Sequence, residues 1–393
     1  MPRLHTLDLF VWSRLAVWVA VLGAPLLVEG LADEVSRRPD VIARTHELGT
    51  AVDVWARWDG YWFVSIAEDG YGVRDGAAAF YPLYPGLLAV IGRLLGGHYV
   101  LAGVMVSLAA TLIAFELLYR LARERLGDER QARLSVLLLA VFPMSLFLQA
   151  VYSEALFLML CLAAFLLAER RHLVWCGVVA GLALLTRPLG VALLPALAVL
   201  VWRAPGPTRQ VAWLAIAPAV FSLYPLVLWH QIGDPLAFAH VEDLWDRRVH
   251  ELGPLGGLWD ATRAAWAGVL QLTVGSDTNW YWSPVDPAST AARNLEAAGY
   301  LGLFAGLSVV AWRRLGAAYG IFCVASLAIP LATPTRAQPL LSLPRFSLVL
   351  FPAFIVLAAL LEGRPRLALA VVGVSSVLLG VSAVRWGLWQ FVA

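Results

Sequence analysis

The sequence predicts an all-α protein that crosses a membrane many times, and three observations carry that expectation. Of 393 residues, 60% are hydrophobic and only 14% are charged, far from the balance of a water-soluble domain. Apolar stretches recur that approach or exceed the ~18–20 residues needed to cover a hydrocarbon core about 30 Å thick. Short clusters rich in arginine separate them.

The apolar stretches fall at 9–31, 99–119, 134–151, 155–168, 173–186, 189–202, 211–232, 294–312, 315–333, 346–362 and 367–385, a bundle of about eleven transmembrane helices. Pro2-Arg3 and the run from Leu9 to Leu31 have the outline of a secretory signal. The run is too long for a signal's apolar region, carries Arg14 inside it, and precedes no small-residue cleavage site. It is expected to be a retained first span.

Arginine clusters stand at Arg120 to Arg133, Glu169-Arg170-Arg171, Arg203 to Arg209, Arg313-Arg314 and Arg364 to Arg366. Arginine and lysine collect on the cytoplasmic side of membrane proteins, and a cytoplasmic N-terminus puts all of these clusters there. That count requires Phe80 to Gly97 to stay on one side. With Pro82, Pro85, Arg93 and two closing glycines, this segment reads as an interfacial or re-entrant helix.

Residues 32–98 and 233–293 then form two long extracytoplasmic loops, and 1–393 is one membrane-embedded domain without internal repeat. The 29 basic residues, all arginine, are scattered between apolar segments, which excludes a nucleic-acid-binding surface. Cys161, Cys176 and Cys323 lie in apolar runs without metal-ligand spacing and read as buried small hydrophobes.

Four polar clusters fall at the outer ends of spans or in outer loops: Arg57-Trp58-Asp59-Gly60-Tyr61, Tyr152-Ser153-Glu154, Thr186-Arg187-Pro188 and Leu343-Pro344-Arg345-Phe346. An ionisable group at the edge of the hydrocarbon costs a few kcal/mol, so it persists where it pairs, faces a cavity or works. Glu154, Arg187 and Arg345 are of this type. A purely structural account pairs Glu154 with Arg187 and lets a terminal arginine snorkel. Asp59 is flanked by Trp58, Tyr61 and Trp62, a setting that holds a carboxylate against a sugar, and Glu68, Asp69 and Asp75 are rival carboxylates. Tyr81 belongs to the rigid Phe80-Tyr81-Pro82-Leu83-Tyr84-Pro85 bend, and Asp234 to a Gly233-Asp234-Pro235 helix stop.

These segments, with Glu68-Asp69-Gly70-Tyr71, Ala79-Phe80 and Trp245, occur in an order that resembles the family of the second mannosyltransferase of GPI-anchor assembly (PIG-V-like), in its bacterial branch. The resemblance implies a GT-C-like bundle whose first extracytoplasmic loop carries the catalytic Asp59. It implies a polyprenyl-phosphate-mannose donor lipid, a glycan or glycolipid acceptor, and an active site on the outer face of the inner (plasma) membrane. Arg57, Trp58, Tyr61, Tyr81, Tyr152, Glu154, Arg187, Asp234 and Arg345 are then expected to bind substrate, with no cofactor and no obligatory metal. Bacteria make no GPI anchors, so the acceptor stays open. A transporter or lipid-carrier flippase and a non-catalytic scaffold are the competing readings, although transporters commonly show paired repeats and sites near the midplane.

Overall fold

The computed structural model describes residues 5–27, 39–203, 208–275, 281 and 287–392, and its regular structure is entirely helical among them. The first apolar run forms α1 (Thr6–Leu27); its expected end at 28–31 lies outside the described residues, as do 204–207 of the Arg203–Arg209 cluster. So do 32–38, 276–280 and 282–286 of the two long loops.

Residues 39–98 fold into α2 (Pro39–Thr45), α3 (Thr50–Asp53), α4 (Asp59–Asp69) and α5 (Leu83–Leu94). There follow α6 (Tyr99–Leu126), α7 (Glu129–Ala140), α8 (Glu154–Glu169), α9 (Leu173–Leu184), α10 (Leu193–Arg203), α11 (Ile216–Phe221) and α12 (Leu223–Ile232). The second long segment holds α13 (Ala237–His240) and α14 (Pro254–Thr273). The order ends with α15 (Pro287–Arg314), α16 (Ala317–Ala332), α17 (Leu343–Ser347), α18 (Phe351–Leu360) and α19 (Pro365–Gly387).

Each expected span overlaps helix, but the bundle is less uniform than eleven crossings. Thr6–Leu26, Tyr99–Leu126, Gln210–Ile232, Ala288–Arg314 and Pro365–Gly387 are long and apolar enough to cross a bilayer, which makes this a multi-pass membrane protein. The other apolar helices are shorter. The stretch 134–151 stops being α-helix at Ala140, because Pro143 offers no N–H and crowds the residue before it. It continues through a 3-10 turn, Ser145–Leu148. The stretch 346–362 breaks the same way ahead of Pro352 in the first turn of α18. Segment 80–97 yields α5, whose 12 residues span only about 18 Å and so cannot cross alone.

α8 occupies the centre, packed on α6, α9 and α10, and most of its residues are buried. Between its two terminal residues, Glu154 and Glu169, it is apolar on all sides, as a helix without a solvent face must be. α9 meets the Thr208–Phe221 segment through Gly177 and Gly181; a Cβ at Gly177 would lie 2.5 Å from the Trp213 carbonyl oxygen. Small residues four apart are what let membrane helices approach this closely.

At the far end of α8, Arg170 pairs with Glu124 at 2.6 Å, Arg125 pairs with Glu169, and Arg171 donates to the Val201 carbonyl. The arginine-rich ends of α6, α8 and α10 therefore share one end of the bundle, and Glu154 marks the other. Arg14 inside α1 is buried; it donates to the Ser145 carbonyl at 2.6 Å and the Ala140 carbonyl at 3.0 Å. It thereby reaches one oxygen at the end of α7, which the Ser145 hydroxyl also meets, and one in the 3-10 turn that follows.

The 20-residue helix α14 stands where the sequence shows only short amphipathic patterns. Gly256, Gly257 and Gly268 lower its helical propensity, while Asp260 and Arg263 lower its hydropathy. The glycines have a packing reason, since a Cβ at Gly257 would strike the Leu331 carbonyl and one at Gly268 would lie 2.9 Å from that of Ala291.

Candidate active site

Asp59 is the first residue of α4, and the chain enters it through Trp58, whose φ of 47° is a conformation side chains rarely adopt. Tyr152 holds this turn. Its hydroxyl accepts the Asp59 backbone N–H at 3.2 Å and donates to the Arg57 carbonyl at 3.1 Å. The Val151 N–H also donates to the Trp55 carbonyl, and Gly60 and Gly103 leave the room that Val151 fills.

The Asp59 carboxylate faces Arg345 from α17, with Oδ2 2.6 Å from Nη1. Nε of Arg345 lies 3.3 Å from Oε1 of Glu154, which in turn lies 2.5 Å from Nη1 of Arg187. Arg187 also donates to the Ser153 hydroxyl at 3.1 Å. Asp59, Arg345, Glu154 and Arg187 thus form a row of alternating charge. Glu154 is 1% exposed, Arg187 12% and Asp59 29%, so the row is most deeply packed at Glu154 and most open at Asp59. Buried guanidinium–carboxylate pairs hold only when both members stay, because loss of one leaves an uncompensated charge.

That space is a cavity of about 710 Å³. Its walls come from the first long loop (Trp58, Asp59, Tyr61, Trp62, Tyr81), the start of α8 (Tyr152, Ser153), Arg187, and Arg345 with Phe346. Sequence reading misses several wall residues: Arg74, Glu242, Arg247, Trp389 and Phe391. The guanidinium of Arg187 stands 5.3 Å, that of Arg345 5.4 Å and that of Arg247 5.8 Å from the centre of the Phe346 ring, a cation–π cluster fed by three separate parts of the chain. Burial holds Arg247 below the usual guanidinium range and Glu242 above the usual carboxylate range, each partly offset by the other. The only signal for this pair was its place beside Trp245 in the second long loop.

Two residues expected at the site stand elsewhere. Arg57 does not line the cavity; its guanidinium donates to the Trp386 carbonyl and lies 4.1 Å from the Trp389 ring centre, tying the turn before Asp59 to the end of α19. Asp234 is partly exposed, does not line the cavity and bonds His240 at 2.7 Å, a contact that holds its carboxyl below the usual range and builds a local turn. The rival carboxylates Glu68 and Asp69 pair with Arg44 at 2.5 and 2.6 Å and do not line the cavity. Among the described residues, no group of three or more His, Cys, Asp or Glu is placed to hold a metal ion.

Residues 81–229 match the family model described as dolichyl-phosphate-mannose-protein mannosyltransferase. GPI alpha-1,6-mannosyltransferase 2 of Mus musculus is 36% identical over 124 residues, 29% of this chain and 25% of that protein. GPI mannosyltransferase 2 of Chaetomium globosum is 30% identical over 192 residues, 42% of this chain and 40% of that protein. Among solved structures, ArnT from Cupriavidus metallidurans in the apo state superposes with a TM-score of 0.51 at 20% identity, over 92% of this chain and 60% of that one. The chain shares the GT-C fold of this ArnT. The chain spans a quarter to two fifths of the length of those two curated relatives. The same ArnT bound to undecaprenyl phosphate superposes with a TM-score of 0.50 at 19% identity, over 92% of this chain and 61% of that one. The family-model match takes in Tyr81, Tyr152, Glu154 and Arg187 of the site and ends before Glu242 and Arg345.

Proposed function

We propose that this protein transfers mannose from a polyprenyl-phosphate-mannose lipid to a hydroxyl of a glycan or glycolipid acceptor on the extracytoplasmic face of the plasma membrane. The observation that carries the reading is the carboxylate–guanidinium pair of Asp59 and Arg345, set in a roomy cavity walled by aromatic rings. The chain's likeness to mannosyltransferases supports the sugar, and its likeness to an ArnT bound to undecaprenyl phosphate supports a lipid-phosphate carrier.

In this reading the acceptor oxygen attacks the anomeric carbon from the face opposite the lipid phosphate. Its proton passes to Asp59, the bond from anomeric carbon to phosphate oxygen breaks, and the phosphate leaves with the electron pair. A β-linked donor then gives an α-linked product. A positioned general base contributes about 10²–10⁴-fold to such a step. Arg345 meets the charge growing on the leaving phosphate, since a planar fork matches phosphate oxygens. Arg187 is the second guanidinium within reach of the same region, and Glu154 fixes both. The orientation is supported by the arginine-rich ends lying at the opposite end of α8 from Glu154.

The test is transfer of radiolabelled mannose from polyprenyl-phosphate mannose to candidate acceptors by the purified protein in lipid. Labelled lipid-linked or glycan product is expected, and none from GDP-mannose. Flux of the carrier without any glycosidic bond formed would turn the reading to a transporter.

A further inference from the structure

We infer that Glu242, with the rings of Trp245 and Trp62, forms a hydroxyl-binding subsite for a neutral sugar, separate from the ion-paired row around Asp59. The inference rests on the glycosyl-transfer reading above.

The segment that carries Glu242 is braced on both sides of the cavity. The Trp245 ring packs 5.3 Å from that of Trp62 and 5.4 Å from that of Phe80, and its Nε1 donates to the Gly76 carbonyl. Two residues on, Arg247 donates to the Thr333 and Leu341 carbonyls. Glu242 sits between these anchors as a half-buried cavity-lining carboxylate, and no described side chain or backbone N–H donates to it. Arg247 gives it partial charge compensation, while its Nη1 and Nη2 are directed to the carbonyls.

A carboxylate drawn out of water without donors is unfavourable, and vicinal hydroxyls of a ligand supply the donors that the protein does not. Trp62, Phe80 and Trp245 add apolar faces on which the C–H surface of a hexose packs, Trp62 and Phe80 being stacked at 10°. An anionic sugar is disfavoured by like charge. The mannose of the donor and a sugar of the acceptor share this chemistry, and kinetics separates them.

The experiment uses the full chain in lipid nanodiscs with polyprenyl-phosphate mannose and octyl α-mannoside, comparing wild type, Glu242→Gln and Glu242→Ala. Glu242→Ala is expected to raise the KM of one substrate about tenfold, with kcat within about threefold, and Glu242→Gln to fall between. The substrate whose KM moves is the one whose sugar occupies the subsite. The charged and titratable groups that act on Glu242 are Arg247 of its own segment and Tyr81 of the first loop. In wild type that same KM should rise as pH falls through the raised carboxyl range, and in Glu242→Gln it should not. Both KM values unchanged in Glu242→Ala, or a loss confined to kcat, overturns the subsite. If wild type itself transfers nothing, the transfer reading fails, and saturation-transfer NMR with methyl α-mannoside decides the subsite alone. A signal lost in Glu242→Ala sustains it, and equal signals remove it.

Discussion

Nη1 of Arg345 lies 2.6 Å from Oδ2 of Asp59 although 286 residues separate the two in sequence. The pairing occupies the carboxylate of the proposed base until another anion draws Nη1 away, Glu154 holding the guanidinium only through Nε. A lipid phosphate is the group that would do so, and the first prediction follows from that competition.

Arg345→Lys keeps the charge and loses the planar fork, so kcat/KM for the lipid donor should fall about 10–100-fold. Initial rates across donor concentrations measure it. Equal rates in both proteins would take the phosphate role from Arg345 and give the same test to Arg187.

Asp59→Asn preserves shape and removes the proton acceptor, so kcat should drop about 10²–10⁴-fold while bound donor lipid is retained. Glu68→Gln and Asp69→Asn should stay near wild type, because their carboxylates serve Arg44 away from the cavity. Asp75→Asn is a third control. A dead control beside an active Asp59→Asn would move the base to that residue.

Tyr152→Phe deletes only the hydroxyl that joins the Asp59 N–H to the Arg57 carbonyl. Loss of one neutral bridge that orients the carboxylate should lower kcat about tenfold and leave both KM values in place. Unchanged kcat would mean that the strained Trp58 turn holds Asp59 without help.

Glu154→Gln leaves Arg187 and Arg345 facing each other without their shared counter-charge, and each arginine is at most 12% exposed. Destabilisation of about 3–5 kcal/mol is expected, read as a fall in the thermal unfolding midpoint in detergent. The double variant Glu154→Gln with Arg187→Gln should recover part of the loss. No recovery would show that the two guanidiniums are held by other groups.

The sorting of charge was legible in the sequence because lipid punishes ionisable groups that do not pair or line a cavity. Glu154, Arg187 and Arg345 could therefore be picked out one by one, and the structure brings them to Asp59. Arg57 has the same signature, yet its guanidinium ties α19 to the first loop, since composition does not tell a substrate contact from a structural tether. Glu242 and Arg247 carried no such signal, because charged residues in a long outer loop are ordinary. Only the bracing of their segment by Trp245 turns them inward. Helix count was legible as apolar runs, but Pro143 and Pro352 break two of those runs.

Arg14 also bears on how the protein is made. Its carbonyl partner at Ala140 is synthesised 126 residues later, which at about 5–20 residues per second is a delay of roughly 6–25 s. During that interval the first helix carries a guanidinium whose burial in lipid costs a few kcal/mol. Nascent chains arrested before Ala140 should therefore be extracted from the membrane by alkali more readily than chains arrested after Leu148, and the difference should vanish in Arg14→Leu. Completion of α7, well downstream of α1, is the event that commits the first helix to the bilayer.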